Sequence, residues 1–221
     1  MGGFLAGLFG LITAVFSANR NRLEQEREKS EAEQVMLHSI VTKLFDINDS
    51  ISKNRRHLMI DDVSSRVRFR VGGKNRYFSK PLEGESGLIR FTIEERVFLL
   101  RKYKAKRFNQ IADMNGISET FDFLIKKQLD AYYSLQGEVL RQGSNREGYL
   151  RIADVDRDSP ALMRMMDIDG AFRSFIERAA SATESFLLEM VAISNEDTSV
   201  PIRYETTDAP PAAANDKRMD Y

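Results

Sequence analysis

The chain has 221 residues, of which 42% are hydrophobic and 30% charged, and its 33 Lys and Arg balance 33 Asp and Glu. That suffices for one packed domain with appendages, and zero net charge removes any overall pull toward polyanions. With no Cys, disulfides, thiolate metal sites and cysteine nucleophiles are excluded, and with no Trp there is no Trp belt at a membrane interface. The charge is nevertheless uneven. Residues 1–65 carry 8 basic against 9 acidic side chains, residues 66–107 carry 13 against 4, and residues 108–221 carry 12 against 20. A basic middle followed by an acidic end points either to an anionic partner or to pairing within the chain.

Residues 2–18, GGFLAGLFGLITAVFSA, hold no charge. As a helix they span about 25 Å, a little less than the roughly 30 Å of a bilayer's hydrocarbon core. A signal peptide is disfavoured because nothing basic precedes the run and Val15 sits poorly before a cut after Ser17. A buried core helix rarely begins at residue 2. The run is therefore read as a single-pass transmembrane anchor, residues 1–18. Arg20 and Arg22 follow it, so the positive-inside rule places the N-terminus outside and the main domain on the cytoplasmic side of a bacterial-type inner membrane. Gly3, Gly7, Gly10, Ala14 and Ser17 repeat at steps of 4, 3, 4 and 3. Such a stripe of small residues allows two helices to approach closely in lipid, and self-association is expected from it.

A charged, Gly- and Pro-free run opens the next segment, residues 19–60, which is expected to be one long helical arm. Its apolar seam is Leu37, Ile40, Leu44, Ile47, Ile51, Asn54 and Leu58, at alternating steps of 3 and 4. Three heptads with one polar position suit a coiled coil in a homo-oligomer. An ordinary bundle helix fits the same spacing, and both readings stay open here.

Residues 61–195 form the helical domain. Near 65–80 the period changes to two: Val67, Phe69 and Val71 alternate with Arg66, Arg68 and Arg70, then Gly72-Gly73-Lys74-Asn75 leads into Arg76, Tyr77 and Phe78. This predicts a β-hairpin that packs on helices. Thr92 and Glu95 make a capping box for a helix through Ile93, Val97, Leu100 and Ile111, with a stop at Asn115-Gly116. Ser118 begins a further helix through Phe121, Leu124, Ile125, Leu129, Tyr132 and Leu135. A loop, QGSNREG, follows. Ser159 and Pro160 open the last helix, which carries Leu162, Met166, Phe172, Phe175, Ile176, Ala179, Phe186, Leu187 and Val191, with Gly170 as a candidate break. From Glu196 the polar, Pro- and Ala-rich tail, residues 196–221, is expected to be disordered. The fold class is thus mainly α, with an N-terminal anchor helix, a long arm and a bundle bearing a small hairpin.

The residues offer little chemistry. His38 and His57 lack the acid three residues earlier that a Glu-x-x-His di-iron site requires. Gly72-Gly73-Lys74-Asn75 lacks the Ser or Thr of a phosphate-binding P-loop, and Gly84-Glu85-Ser86-Gly87 is not spaced as a nucleophile elbow. Asp154-x-Asp156-x-Asp158 imitates a calcium loop, but Ser159 and Met165 replace the required Gly and Glu. No metal, cofactor or catalytic residue is assigned, and the chain is read as a non-enzyme. The candidate site is the basic block Arg66, Arg68, Arg70, Lys74, Arg76, Arg101, Lys102 and Lys106, facing anionic membrane lipid or an acidic protein partner. Nucleic acid is disfavoured for want of net charge or a known module. The expected function is a self-associating, membrane-anchored scaffold or adaptor, with a single-span receptor or sensor as the alternative.

Overall fold

A computed structural model describes residues 2–59, 66–71, 74–79, 87–142 and 154–197; within these, the side chains of 2–13, 59, 66–70, 75, 79, 140–142, 154 and 197 fall outside the description. The chain is mainly helical, in the order α1 (Gly2–Met59), β1 (Arg66–Val71), β2 (Lys74–Ser79), α2 (Ile93–Gln142), β3 (Asp154–Val155) and α3 (Pro160–Asp197). Residues 143–148 of the expected loop and nearly all of the tail lie outside the described residues, although α2 includes Gln142 and α3 includes Glu196 and Asp197.

α1 is a single helix of 58 residues, about 87 Å long. Leu37, Ile40, Leu44, Ile47, Ile51 and Leu58 are all buried, from 0 to 7% exposed, and so is Val41. They pack with Leu99, Ile111, Phe121, Phe172, Ile176 and Leu187 of the same chain. This corrects the coiled-coil reading and the self-association expected from the seam. A side chain with no exposed surface inside its own bundle has none left for a second copy. The stripe is also wider than a two-position seam, because Val41 and Asn48, one residue after Ile40 and Ile47, are buried as well. A helix seated between two others needs that width. Asn54, expected to set an oligomer register, donates its Nδ2 to the Ser50 carbonyl 2.9 Å away. Residues 37–58 are thus core, and the boundary drawn between arm and domain at residue 60 does not separate two units.

α3 runs antiparallel to α1, as Thr183 beside Asn48, Glu177 beside Arg55 and Arg173 beside Leu58 show. Arg173 also terminates α1: its Nη1 reaches the Leu58 carbonyl at 3.3 Å, one of the C-terminal acceptors that helices leave open. Ser159 caps α3 through the Leu162 amide at 3.2 Å, with Pro160 first in the helix, as expected. Gly170 lies mid-helix on an exposed face and breaks nothing. Met165, not Met166, is the buried residue of that turn.

α2 departs most from expectation. Its capping box is present, with the Thr92 amide on Glu95 Oε2 at 2.7 Å and the Glu95 amide on Thr92 Oγ1 at 3.2 Å. The helix does not stop at Asn115-Gly116, and it reverses instead at Lys104, whose φ of 65° and ψ of −176° are non-helical. After the reversal the chain folds back on itself. Arg96 lies over the Phe108 ring at 5.0 Å, Asn115 Oδ1 accepts the Phe91 amide at 2.9 Å, and Ser118 Oγ accepts the Ile89 amide at 3.2 Å. Asn115 and Ser118 are therefore not a stop and a start. They sit on one helical face and satisfy the amides of the extended segment 87–92, whose backbone has no ladder to donate into. From Lys104 onward α2 runs antiparallel to α3: Arg107 pairs with Glu189 and Phe121 stacks on Phe172. In the first arm, Leu99 and Glu95 point inward while Ile93 is 73% and Leu100 44% exposed, opposite to the face expected.

The hairpin forms as expected, antiparallel, with Val71 opposite Lys74 and Val67 opposite Phe78. A third strand was not anticipated: Asp154 and Val155 pair in parallel with Arg70 and Val71, giving the order β2-β1-β3. Two residues are too short to leave a periodic signal. Val71, Phe78 and Val155 rest on Ala131, Leu135, Leu162 and Met165 as a second, smaller core.

Lys104 occupies backbone space that is essentially reserved for glycine, at a cost of about 1–3 kcal/mol. Lys104→Gly removes that strain against roughly 0.5–1 kcal/mol of added chain entropy, so Tm should rise by about 2–4 °C. Lys104→Ala keeps a Cβ and should give no gain. A thermal melt in which Gly lowers Tm would refute the strain.

Candidate functional site

The basic block does not form one surface. Strand register sets Arg66, Arg68 and Arg70 opposite Ser79, Tyr77 and Asn75 on one face of the hairpin, while Lys74 and Arg76 share the other face with buried Phe78. The side chains of Arg66, Arg68 and Arg70 lie outside the described residues. Arg101, Lys102 and Lys106 flank the Lys104 reversal, exposed, at the other end of the bundle. Between Lys106 and Leu135, on which the hairpin rests, α2 runs about 44 Å. One contiguous anionic-partner patch of eight residues is thereby corrected to two groups at opposite ends.

The group at the reversal is partly paired. Lys102 Nζ lies 3.2 Å from Glu33 and over the rings of Phe98 and Tyr103 at 5.9 and 5.6 Å. Arg107 pairs with Glu189, whose carboxylate also accepts from Gln110 at 3.3 Å. Internal pairing was the competing account of this block, and for Lys102 and Arg107 it holds. Glu177 of α3 is bound by Arg55 of α1 at 3.2 Å. Beside this group, between residues 29–36 of α1 and 93–102 of α2, lies a groove of about 720 Å³. Its floor is Met36, Val97 and Phe98, and Lys29, Glu94 and Arg101 stand at its rim.

The opposite end holds a second cavity, about 350 Å³, walled by Val71, Lys74, Arg76, Arg157, Leu162 and Met166. Arg157 was not part of the expected patch. It belongs to the Asp154–Ser159 turn that resembled a calcium loop. There Asp156 accepts the Asp158 amide at 3.3 Å and its carbonyl accepts the Ser159 amide at 3.1 Å. The acids of this segment shape a turn ahead of a helix cap. Among the described residues, no group of three His, Asp or Glu is placed to hold a metal.

Between the two ends lie the polar contacts of the interior. Glu95, 2% exposed, accepts from Ser39 Oγ at 2.7 Å, from Lys43 Nζ at 2.8 Å and from the Thr92 amide at 2.7 Å. Burial alone would raise its carboxyl. The bonds from Lys43, Ser39 and Thr92 outweigh burial and hold it below the usual carboxylate range. Thr183, fully buried, meets Asn48 at 3.0 Å and the Ala179 carbonyl at 2.9 Å. Both clusters join helices.

Removing Glu95 should be costly. Glu95→Ala leaves Lys43 and Ser39 facing a cavity and is expected to destabilise by about 3 kcal/mol. Because folding lowers the Glu95 pKa, its contribution is present above the unfolded value near 4.5 and is lost as pH falls through the folded one. Lys43→Met removes the strongest opposition to burial, so the acid-side loss of stability should shrink. Equal acid sensitivity in the two proteins, by denaturant titration from pH 3 to pH 6, would count against this role.

No known protein family, curated protein or solved structure matches the chain.

Proposed function

We propose that the chain is a membrane-anchored helical interaction protein, a scaffold or adaptor that carries its bundle on a rigid stalk. The observation behind this reading is the N-terminal half of α1. Residues 14–28 are exposed on every face and line no groove against α2, so about 22 Å of helix stands clear of the bundle. Arg20–Glu24, Arg22–Glu26 and Arg27–Glu31 pair one turn apart along it, at 3.0, 2.9 and 2.8 Å. Such pairs add a few tenths of a kcal/mol each and suit a helix that has only itself for support. At its far end the helix runs into the uncharged segment 2–18. There Val15 and Phe16 are 57% and 73% exposed, and Ser17 turns its hydroxyl onto the Ala14 carbonyl at 3.1 Å. A solitary helix ending in exposed apolar side chains calls for a second, apolar solvent.

Among the described residues, no helix is long and apolar enough to cross a membrane. The side chains of residues 2–13, which make up most of the apolar run and carry Gly3, Gly7 and Gly10 of the small-residue stripe, lie outside the description. Anchoring in an inner membrane with the bundle in the cytoplasm, and self-association through that stripe and Ala14, belong to this proposal. So does the choice of lipid contact. The basic group at the reversal lies level with Glu33, about 22 Å of helix from residue 18, and comes nearer as the stalk leans. The hairpin group lies about 60 Å away and is out of electrostatic reach of the same leaflet. The receptor alternative draws on the cavity at that far end.

Full-length protein should sediment with membranes, and a chain lacking residues 2–18 should not. Recovery of the full-length protein in the soluble fraction without detergent would overturn the anchor.

A further inference from the structure

The cavity between the hairpin and the start of α3 gathers three cations from two separate elements. Lys74 and Arg76, two residues apart on β2, share the strand face of buried Phe78, and Lys74 pairs directly with buried Val71. They therefore project from the inner face of the hairpin, where it overhangs the first turns of α3. Arg157 comes from the turn before that helix. Among the described residues none of the three has an acid at ion-pair distance, and no acid lines the cavity. Two acids of the neighbouring elements are engaged elsewhere: Asp156 accepts the Asp158 amide, and Glu138 accepts the Ser159 hydroxyl at 2.7 Å.

Three like charges around one cavity repel one another, and among the described residues no acid in its wall offsets them. An oxyanion would, and the positive end of the α3 dipole adds to the same field. Leu162, Met166 and Val71 complete the wall with apolar surface, which a bare inorganic ion does not use. The volume suits a small organic molecule.

We propose that this cavity binds a small, water-soluble organic phosphate, its phosphate held by Lys74, Arg76 and Arg157 and its carbon skeleton resting on Leu162 and Met166. The phosphate could in chemistry belong to a lipid headgroup. The choice of a soluble source rests on the anchored reading above, which puts the cavity at the end of α1 farthest from residues 2–18.

The test uses the full-length chain in neutral phosphatidylcholine nanodiscs, titrated with inorganic phosphate and with phenyl phosphate and read by calorimetry and thermal melting. Both ligands should bind and raise Tm, phenyl phosphate the more tightly, and binding should weaken with salt. The double variant Arg76→Gln with Arg157→Gln should lose at least about tenfold in affinity. Without ligand it should melt no lower than the parent, because it removes repulsion and breaks no ion pair. Arg101→Gln with Lys106→Gln, at the other end of the bundle, should bind as the parent does. Undiminished binding by the first double variant, or no binding of either phosphate up to about 10 mM, overturns the site. Adding phosphatidylglycerol to the nanodiscs should leave the affinity unchanged, and competition that depends on Arg76 and Arg157 would overturn the water-soluble source. Phosphate binding by a chain that proves soluble without detergent would sink the anchor and leave the cavity standing.

Discussion

The carboxylate of Glu95 is the point from which the arrangement of helices follows. It completes the capping box that starts α2, and with the same two oxygens it takes hydrogen bonds from Ser39 and Lys43 of α1. A buried charge survives only when every acceptor site is used. The start of α2 therefore has one permitted position against α1, with Lys43 also lying over the Phe91 ring at 5.8 Å. A purely apolar contact between the two helices would tolerate sliding by a turn; this one does not. Asn48 with Thr183 does the same for α1 and α3. The core is thus keyed by two polar contacts, both contributed by α1 residues that flank the seam of Leu and Ile.

The reversal at Lys104 has electrostatic consequences beyond its strain. By doubling α2 back it sets Lys102, Lys104 and Lys106 within one tight turn, where continued helix would have spread them over both faces. The acidic partners available there, Glu33 and Glu189, come from α1 and α3. The other basic group sits at the hairpin, where Lys74, Arg76 and Arg157 have no such partners among the described residues. A chain of zero net charge thereby presents two ends of different character, one partly neutralised from within and one open.

Much of the architecture was legible because it rests on local rules. The Thr92–Glu95 box, the Ser159–Pro160 start and the alternation of Val67, Phe69 and Val71 each act within a few residues. Misreadings came where a residue's partner is distant. Asn115 and Gly116 look like a helix end, yet Asn115 is spent on the amide of Phe91, which no local pattern reveals. Lys104 carries no turn signal, since the reversal is imposed by packing against a residue type that resists it. The seam of α1 has the spacing of a coiled coil because its extra width rests on Val41 and on Asn48, a polar residue that hydropathy counts as surface. The basic block is continuous along the chain, whereas the fold places residues 76 and 101 at opposite ends. Arg157 was hidden for the converse reason: it stands among aspartates in the sequence and among cations in space.

The parallel pairing of Arg70 and Val71 with Asp154 and Val155 bears on the order in which the molecule assembles. Its partners are roughly 80 residues apart, so closing that loop in a disordered chain costs on the order of 4 kcal/mol, more than two ladder pairs return. The pairing becomes favourable only after α2 has docked along α3 and carried the ends of the loop together. Helix pairing, which buries the main apolar core for each loop it closes, comes first, and β3 is stitched in last. The Asp154–Ser159 turn, and Arg157 with it, reaches its place only in that final step. The far-end cavity is accordingly a property of the completed fold, and a partly assembled chain would display the hairpin without the third cation.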